Sequence, residues 1–262
     1  MGIGKNAISQ MIKLEGYVFR KTRAVLTSND PNYQDKLERI TRILRRLGPA
    51  DRFFSIDEYG PFSVKERGGR RRVHKSEYPS IPKFQNSKGK IIITAALELS
   101  SNQITHFYSE KKDTDEMIKL VHRLIDEYHD CGRLCISWDA ASWHSSQKFL
   151  AEVRGLNGRE YRNAHQNPMI KLAPLPARAQ FLNVIESVFS GMSQAIINNS
   201  NYASVDAARE AIDKYFMKRN AHFRRYPKKA GNKIWGDELV PSQFHPANNC
   251  KHPRFMRLAS IR

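Results

Sequence analysis

Residues 53–58 read Phe53-Phe54-Ser55-Ile56-Asp57-Glu58, a short apolar run that ends in carboxylates. A run of this length and composition predicts a buried strand over 53–56, with Asp57 directly after it. The same pattern returns in Leu134-Cys135-Ile136-Ser137-Trp138, which Asp139 follows. A carboxylate that is held partly out of water needs a compensating partner. The two aspartates are therefore candidate functional residues at the ends of two buried strands.

A third carboxylate, Glu186, borders the buried stripe of a predicted helix. Apolar residues recur there at helical spacing: Leu182, Ile185, Phe189, Met192 and Ile196. Two strand-end aspartates and one helical glutamate that converge would form an all-oxygen site suited to Mg²⁺ or Mn²⁺. Two such ions can clamp the attacking and leaving oxygens of a phosphodiester.

Each carboxylate also has a structural interpretation. Asp57 could begin a turn over residues 57–61, since aspartate is common in that role. Asp139 could cap a helix that follows its strand, and Glu186 could pair with one of the many arginines. Spacing alone leaves these alternatives open.

The surrounding elements predict an α/β fold. Strands are also predicted at 62–65, 90–97 and 169–172, and helices at 33–47, 117–128 and 204–220. Ser204 is the predicted N-cap of the last helix. Three strands followed by alternating helices and strands indicate a mixed five-stranded sheet flanked by helices. A ribonuclease-H-like core is among the few topologies that this order allows.

The charge of the chain indicates a polyanionic partner. Its 262 residues include 44 Lys and Arg against 26 Asp and Glu, a net charge of +18. Such a surplus costs self-repulsion and is typical of nucleic-acid-binding proteins, although a solvated basic surface has the same composition. The basic residues gather in three groups: Arg20, Lys21 and Arg23; Arg67, Arg70, Arg71, Arg72 and Lys75; and Lys218, Arg219, Arg224, Arg225, Lys228 and Lys229. The second group predicts a hairpin over 67–75 that acts as a DNA clamp or a subunit contact.

Several classes of protein do not fit this sequence. The apolar run 91–97 is too short to span a bilayer, and no apolar signal segment opens the chain. Three cysteines, Cys131, Cys135 and Cys250, make no disulfide framework, so we expect a cytoplasmic protein. His129 lies near two of these cysteines, but no second pair completes a zinc site. No phosphate-cradling glycine motif is present, so no nucleotide cofactor is expected.

Three blocks of sequence resemble the catalytic blocks of mariner-superfamily DDE transposases, most closely the bacterial insertion-sequence branch. They are residues 53–58, residues 138–144 (Trp138-Asp139-Ala140-Ala141-Ser142-Trp143-His144) and residues 182–189 (Leu182-Asn183-Val184-Ile185-Glu186-Ser187-Val188-Phe189). The resemblance implies a ribonuclease-H-like fold that cleaves double-stranded DNA with two Mg²⁺ ions, for which Mn²⁺ can substitute, and then transfers the strand. It further implies that Asp57, Asp139 and Glu186 are the catalytic metal ligands and that the protein acts as a homodimer on transposon ends and target DNA. His144 matches a family histidine and is a candidate DNA contact or a packing residue.

The sequence departs from the family pattern in three places. Ala140 stands where the family usually has asparagine, and the interval from Asp139 to Glu186 is longer than the commonest one, which an insertion over 154–167 would explain. Family members usually carry two helix-turn-helix units before the core, and here residues 8–25 resemble only part of the second. We therefore expect a truncated or split-frame transposase with weakened end recognition. The rivals are a nuclease without strand transfer and a basic DNA-binding protein, or decayed transposase, without activity.

These observations predict three regions. Residues 1–50 are a remnant helical DNA-binding segment with a linker helix. Residues 51–200 are the ribonuclease-H-like catalytic core, and residues 201–262 are a C-terminal helix with a basic tail. In a bacterium the protein would associate with the nucleoid, and in a eukaryote it would be nuclear.

Overall fold

The structure, a computed structural model, describes residues 4–18, 30–139, 146–231 and 234. Five strands form one mixed sheet in the order β3-β2-β1-β4-β5. Their bounds are β1 Asp51–Ser63, β2 Lys90–Glu98, β3 Gln103–Ser109, β4 Arg133–Ser137 and β5 Met169–Leu172. The strands β1, β2 and β3 are antiparallel neighbours, whereas β4 runs parallel to both β1 and β5. The predicted mixed five-stranded sheet is confirmed.

Helices cover both faces of the sheet. Their bounds are α1 Lys5–Leu14, α2 Tyr33–Arg45, α3 Thr114–Glu127, α4 Gln147–Leu156, α5 Arg159–His165, α6 Ile185–Met192 and α7 Val205–Arg225. The predicted N-cap is confirmed, because the Ser204 hydroxyl accepts a hydrogen bond from the Ala207 amide at 3.1 Å. Helix α7 continues beyond the predicted end at residue 220, and the helices predicted at 33–47 and 117–128 are present. Within the described ranges, no helix is long and apolar enough to cross a membrane.

Alternation along β1 decides which face of the sheet carries the site. Phe53 packs in the core beneath α2, α6 and α7, whereas Phe54 and Ile56 pack in the core beneath α3 and α4. Successive side chains of a strand point to opposite faces. Ser55 and Asp57 therefore lie on the α6 side of the sheet, with Phe53.

The strands predicted at 53–56 and 62–65 are one strand, so the predicted strand end at Asp57 is wrong. Asp57 pairs with Ala95 and Glu58 with Thr94 in the β1–β2 ladder. The interpretation of Asp57 as the first residue of a turn is wrong for the same reason. Its side chain instead projects from the middle of a central strand.

A bulge explains why the sequence suggests a turn here. The β1–β2 register shifts between Tyr59 and Phe62. At Gly60, φ is +110° and an added Cβ would lie 2.5 Å from the Ile91 carbonyl oxygen, so only glycine fits. Gly60-Pro61 is a turn signal in the sequence, but in the structure it bends β1 without ending it.

The sequence pattern does not predict β3, because polar residues occupy its half-buried positions. The His106 ring lies 4.7 Å from the Phe216 ring of α7, measured between centroids. The Tyr108 hydroxyl donates a hydrogen bond to the Asp213 carboxylate at 2.7 Å. The number of strands still agrees with the prediction, because one predicted pair merges into β1 and β3 is added.

Residues 64–89, all of which the structure describes, connect β1 to β2 without a helix or strand. The hairpin predicted at 67–75 is therefore wrong. The loop is tied at both ends to the segment before α7. The Arg67 amide donates to the Ser200 carbonyl at 2.8 Å, and Lys88 Nζ donates to the Tyr202 carbonyl at 2.5 Å.

Candidate active site

Strand register places Asp57 and Asp139 beside each other. Ser55 of β1 and Ser137, the last residue of β4, are paired in the parallel ladder. Asp57 lies two residues further along β1, and Asp139 lies two residues beyond the end of β4. The segment after β4 stays beside the residues that follow β5, because the Trp138 carbonyl accepts a hydrogen bond from the Leu175 amide at 2.8 Å. Neighbouring strands lie about 4.8 Å apart, and residues two apart share a face. Both carboxylates therefore face α6.

Asn183 joins α6 to β1 at this point. Its side chain is buried. Its Nδ2 donates to Asp57 Oδ2 at 3.0 Å, and its Oδ1 accepts from the Ser55 hydroxyl at 2.6 Å. The same hydroxyl accepts from the Ile185 amide at 3.2 Å, in the first turn of α6. The Asp57 carboxylate and the start of α6 are thus held by one hydrogen-bond network.

The network also positions the third carboxylate. Glu186 lies in the first turn of α6, and its amide donates to the Asn183 carbonyl at 3.2 Å. The side chain as a whole is exposed, but burial around its carboxyl group and the nearby negative charge of Asp139 raise its pKa. Both effects disfavour the ionised form. Among the residues that the structure describes, the charged neighbour that shifts this pKa is Asp139, and not the arginine that the alternative interpretation requires.

The three predicted carboxylates thus share one face and one end of the β1–β4 pair. Among the described residues, no three His, Cys, Asp or Glu side chains lie close enough to enclose a metal ion. The carboxylates are neighbours rather than a closed cage. Their chemistry fits a hard divalent cation, because carboxylate oxygens are the ligands that Mg²⁺ and Mn²⁺ prefer. A cation placed among them would offset both the burial and the Asp139 charge, which together raise the pKa of Glu186.

The predicted DNA-binding residues fall in different places. Arg70, Arg71, Arg72 and Lys75 are exposed on the loop 64–89. Arg67 is half-buried, and its Nη2 donates to the Ser63 carbonyl at 3.2 Å, so it also holds the loop to β1. The remaining candidates, Arg20, Lys21, Arg23 and His144, lie outside the described residues.

Ser55 and Asn183 are site residues that the sequence argument misses. Each is a polar residue inside or beside an apolar run, which is the available signal: Ser55 interrupts 53–56, and Asn183 follows Leu182. Their side chains are buried and hydrogen-bonded to each other across 128 positions of sequence. No local pattern reveals that partnership.

Comparison with known structures supports the ribonuclease-H-like fold. The Mos1 Strand Transfer Complex matches with a TM-score of 0.54 at 15% identity, covering 89% of this chain and 65% of that chain. The mariner Mos1 paired end complex with Mg matches at 0.58 and 15% identity, covering 90% and 69%. The catalytic domain of Mos1 mariner transposase matches at 0.52 and 12% identity, covering 84% and 95%.

The chain therefore spans about two thirds of the length of the larger Mos1 chains and nearly all of the isolated catalytic domain. At these identities the likeness shows the fold. No curated protein matches the sequence significantly. A model of the DDE superfamily endonuclease family matches residues 52–209, which include all three carboxylates. Because that match covers more than half of the chain, this protein belongs to the DDE superfamily of endonucleases.

Proposed function

We propose that this chain is the catalytic part of a DNA transposase, which cleaves DNA and then transfers the freed strand to a target. The observation that carries the proposal is the convergence of Asp57, Asp139 and Glu186 on one face of the β1–β4 pair. The Mos1 chains of similar fold include a strand transfer complex, which supports the transfer step. The bacterial insertion-sequence branch stays a prediction.

Asp57, Asp139 and Glu186 would hold two Mg²⁺ ions, or Mn²⁺ in their place. These ions would supply a nucleophile from water at neutral pH and neutralise charge on the scissile phosphate. The protein itself holds the three carboxylates in position to bind these ions. Asn183 holds the Asp57 carboxylate, and the Ser55 bond to the Ile185 amide sets where α6 begins and so where Glu186 stands. After cleavage, the freed 3′-hydroxyl would take the place of water and attack a phosphodiester of the target, forming a new bond to phosphorus while the bond to the target strand's own 3′-oxygen breaks.

The substrate proposal rests on charge. The net charge of +18 favours a double-stranded DNA partner whose phosphates lie along the basic surface. Arg70, Arg71, Arg72 and Lys75 are exposed and available for that contact. Two transposon ends must be cut and joined together, so the proposal includes a homodimer.

Nicking of supercoiled plasmid in Mg²⁺ or Mn²⁺ tests the cleavage step. We expect the wild type to nick the plasmid, and EDTA or Asp139→Asn to abolish nicking. Asp130→Asn is the matched control, because Asp130 is exposed in the turn before β4, at the opposite end of that strand from Asp139, and should leave the rate unchanged. Equal nicking by the wild type and Asp139→Asn would contradict the proposal. Absence of nicking, with equal salt-sensitive binding by both proteins, would indicate a decayed transposase that only holds DNA.

A second assay tests strand transfer. A labelled duplex with a free 3′-hydroxyl is incubated with the protein and an unlabelled plasmid. Label joined covalently to the plasmid supports transfer. Nicking without joined product would identify a nuclease that lacks the transfer step.

A further inference from the structure

An open groove of about 580 Å³ lies between α2 and the strands β4 and β5, and we name it the α2 groove. Arg39 and Arg42 of α2 line one wall together with Arg46, which directly follows the helix, and Lys171 of β5 lines the other wall. The three arginines recur at helical spacing, so they project along one side of α2. All three are exposed, and Lys171 is half-buried. The groove therefore presents a row of cations to solvent.

The charges of these four cations are not neutralised by neighbouring carboxylates. Asp35 and Glu38 also line the groove, but within the described part of the chain neither forms an ion pair with the four cations. The remaining acidic residue of the lining, Asp51, is bound to Arg133 at 2.6 Å, so these two charges offset each other. Like charges three or four residues apart on a helix repel one another. The row is consequently complementary to a polyanion.

Helix α3 has the reverse charge balance. Helix α2 packs in the same core as α6, on the face of the sheet with the proposed catalytic carboxylates, whereas α3 packs in the core of the other face. Counting Lys and Arg against Asp and Glu, α2 has four basic and two acidic residues, a net charge of +2. By the same count α3 has two basic and four acidic residues, a net charge of −2. A polyanion is therefore attracted to the face that carries the carboxylates.

Helix α2 runs along the sheet away from these carboxylates. Before its first turn, the Asp30 carboxylate accepts a hydrogen bond from the Ala177 amide at 2.7 Å, at the carboxyl end of β5. After its last turn, the Gly48 amide donates to Asp51, at the start of β1. Asp57 lies six residues beyond Asp51, a distance of about 20 Å at about 3.3 Å per residue. About six base pairs of DNA have the same length.

We propose that the α2 groove binds backbone phosphates of the duplex about six base pairs from the cleavage position. This assignment rests on the proposed function, which supplies double-stranded DNA as the substrate. Arg39 and Arg46 are seven residues apart, about 10 Å along the helix, which equals the rise of about three base pairs. Each arginine can thus reach a separate phosphate, and guanidinium groups bind phosphate well. Phosphate contacts carry no sequence information, so the groove fixes the path of the duplex and does not select its sequence.

The salt dependence of duplex binding tests the assignment, in EDTA so that cleavage plays no part. The probe is a labelled random-sequence duplex of about 30 base pairs, long enough to reach from the carboxylates to the groove. The triple substitution Arg39→Gln, Arg42→Gln and Arg46→Gln should make the slope of log K against log salt shallower by about three, because about one counterion is released for each phosphate contact. At about 0.1 M salt it should weaken binding at least about tenfold.

A triple substitution on the opposite face of the sheet is the matched control. Lys119→Gln, Arg123→Gln and Arg154→Gln remove the same charge from exposed positions of α3 and α4. This control should keep the slope of the wild type. Replacement of the three arginines of the α2 groove by lysine keeps their charge and should also keep the slope, because lysine binds phosphate as a point charge.

Cut positions on a linear duplex in Mg²⁺ test the distance. The wild type should cut poorly within about six base pairs of one end of each strand, because the duplex there is too short to reach the groove. The glutamine variant should cut those positions as well as it cuts interior ones. Uniform cutting by the wild type up to both ends would contradict the distance.

Equal slopes in the glutamine variant and the wild type, or equal losses in the glutamine variant and the opposite-face control, would overturn the assignment. A slope that is also lost in the lysine variant would overturn it, because charge would then not be the cause. Binding of polyglutamate by the wild type alone, with duplex binding unchanged in the glutamine variant, would identify an acidic protein as the partner instead. Plasmid nicking separates these failures from failure of the proposed function. Nicking without a difference in slope removes only the groove, and a difference in slope without nicking removes only the chemistry.

Discussion

The parallel pairing of β1 with β4, from Asp51 to Ser55 along β1, has acidic residues near both its amino end and its carboxyl end, and the fold surrounds them differently. At the amino end, Arg133 donates through Nη2 and Nε to the two Asp51 oxygens at 2.6 and 3.0 Å. The Gly48 amide adds a third bond at 3.1 Å. At the carboxyl end, the charged neighbour that acts on Glu186 is another carboxylate, Asp139.

The pKa values of the carboxylates at the two ends are consequently shifted in opposite directions. The hydrogen bond from Arg133 holds the pKa of Asp51 below its usual value. Burial, together with the Asp139 charge, raises the pKa of Glu186. At the amino end, the charge of a buried carboxylate is compensated by an arginine of the neighbouring strand. The carboxyl end instead gathers like charges, which is the arrangement expected where a cation from outside the protein completes the site.

Removing one charge at the carboxyl end gives the largest expected effect. Asp57→Asn should lower the plasmid nicking rate about 10³-fold, because metal clamping of the phosphate supplies several kcal/mol. The new side chain can still accept the Asn183 hydrogen bond, so the free energy of unfolding in urea should change by about 0.5 kcal/mol or less. A nicking rate equal to that of the wild type would show that the two ends of the β1–β4 pairing do not differ in function.

Breaking the hydrogen-bond network without removing a carboxylate should give the second-largest effect on nicking. Asn183→Ala should cost about 1–3 kcal/mol of stability, because it leaves the buried Ser55 hydroxyl and Asp57 without this partner. Nicking should fall about 10- to 100-fold at a temperature where the variant is folded, because small displacements of catalytic groups are costly.

Asn157→Ala is the control for this variant. Asn157 forms a similar pair of bonds with the Ile170 carbonyl and amide, both at 2.8 Å, away from the carboxylates. It should lower stability by a similar amount and leave nicking intact. If both variants lose activity in proportion to stability, Asn183 has no positioning role.

Substitution at the amino end should affect stability alone. Asp51→Asn should cost about 1–2 kcal/mol in urea unfolding at pH 7, an amount limited by the half-exposed Arg133. The pKa of Asp51 is lowered in the folded state, so its stabilisation is present above the unfolded value of about 3.9 and lost as pH falls through the folded pKa. The difference between variant and wild type should therefore be constant at neutral pH and shrink below about pH 4. A difference that grows in acid would contradict the ion pair.

Substitution of Glu186 at the carboxyl end should change the free energy of unfolding in the opposite direction, and by the smallest amount of the four. The pKa of Glu186 is raised in the folded state, so the wild type loses stability as pH rises through that value. Glu186→Gln should therefore be more stable at pH 7 in EDTA, by about 0.5 kcal/mol or less because the side chain is exposed. The gain should vanish below the unfolded value of about 4.3. A less stable variant at pH 7 would mean that Glu186 has a stabilising partner.

Most of the fold can be predicted from the sequence because its buried strands are apolar runs. The run 134–138 and the helix spacing of Ile185 and Phe189 leave little ambiguity. Two strand boundaries fail for physical reasons. Gly60-Pro61 bends β1 instead of ending it, and β3 carries half-buried polar side chains such as Tyr108, whose partner Asp213 lies on α7, far along the chain.

The candidate site can be predicted only in part for a similar reason. Asp57, Asp139 and Glu186 reveal themselves as charges beside apolar runs. Ser55 and Asn183 cannot be recognised in this way, because their role depends on a hydrogen bond between segments that are distant in sequence. Which arginines support the loop 64–89 and which face solvent also depends on tertiary contacts, as Arg67 shows.

Mn²⁺ binding measured by calorimetry on the wild type, Asp139→Asn and Asp51→Asn tests the central claim most directly. The carboxylates at the carboxyl end should bind Mn²⁺ in the wild type, with affinity at least about tenfold weaker in Asp139→Asn because a charged oxygen ligand is lost. Asp51→Asn should bind as the wild type does. Equal Mn²⁺ affinity in the wild type and Asp139→Asn would show that the carboxyl end of β1 and β4 is not a metal site.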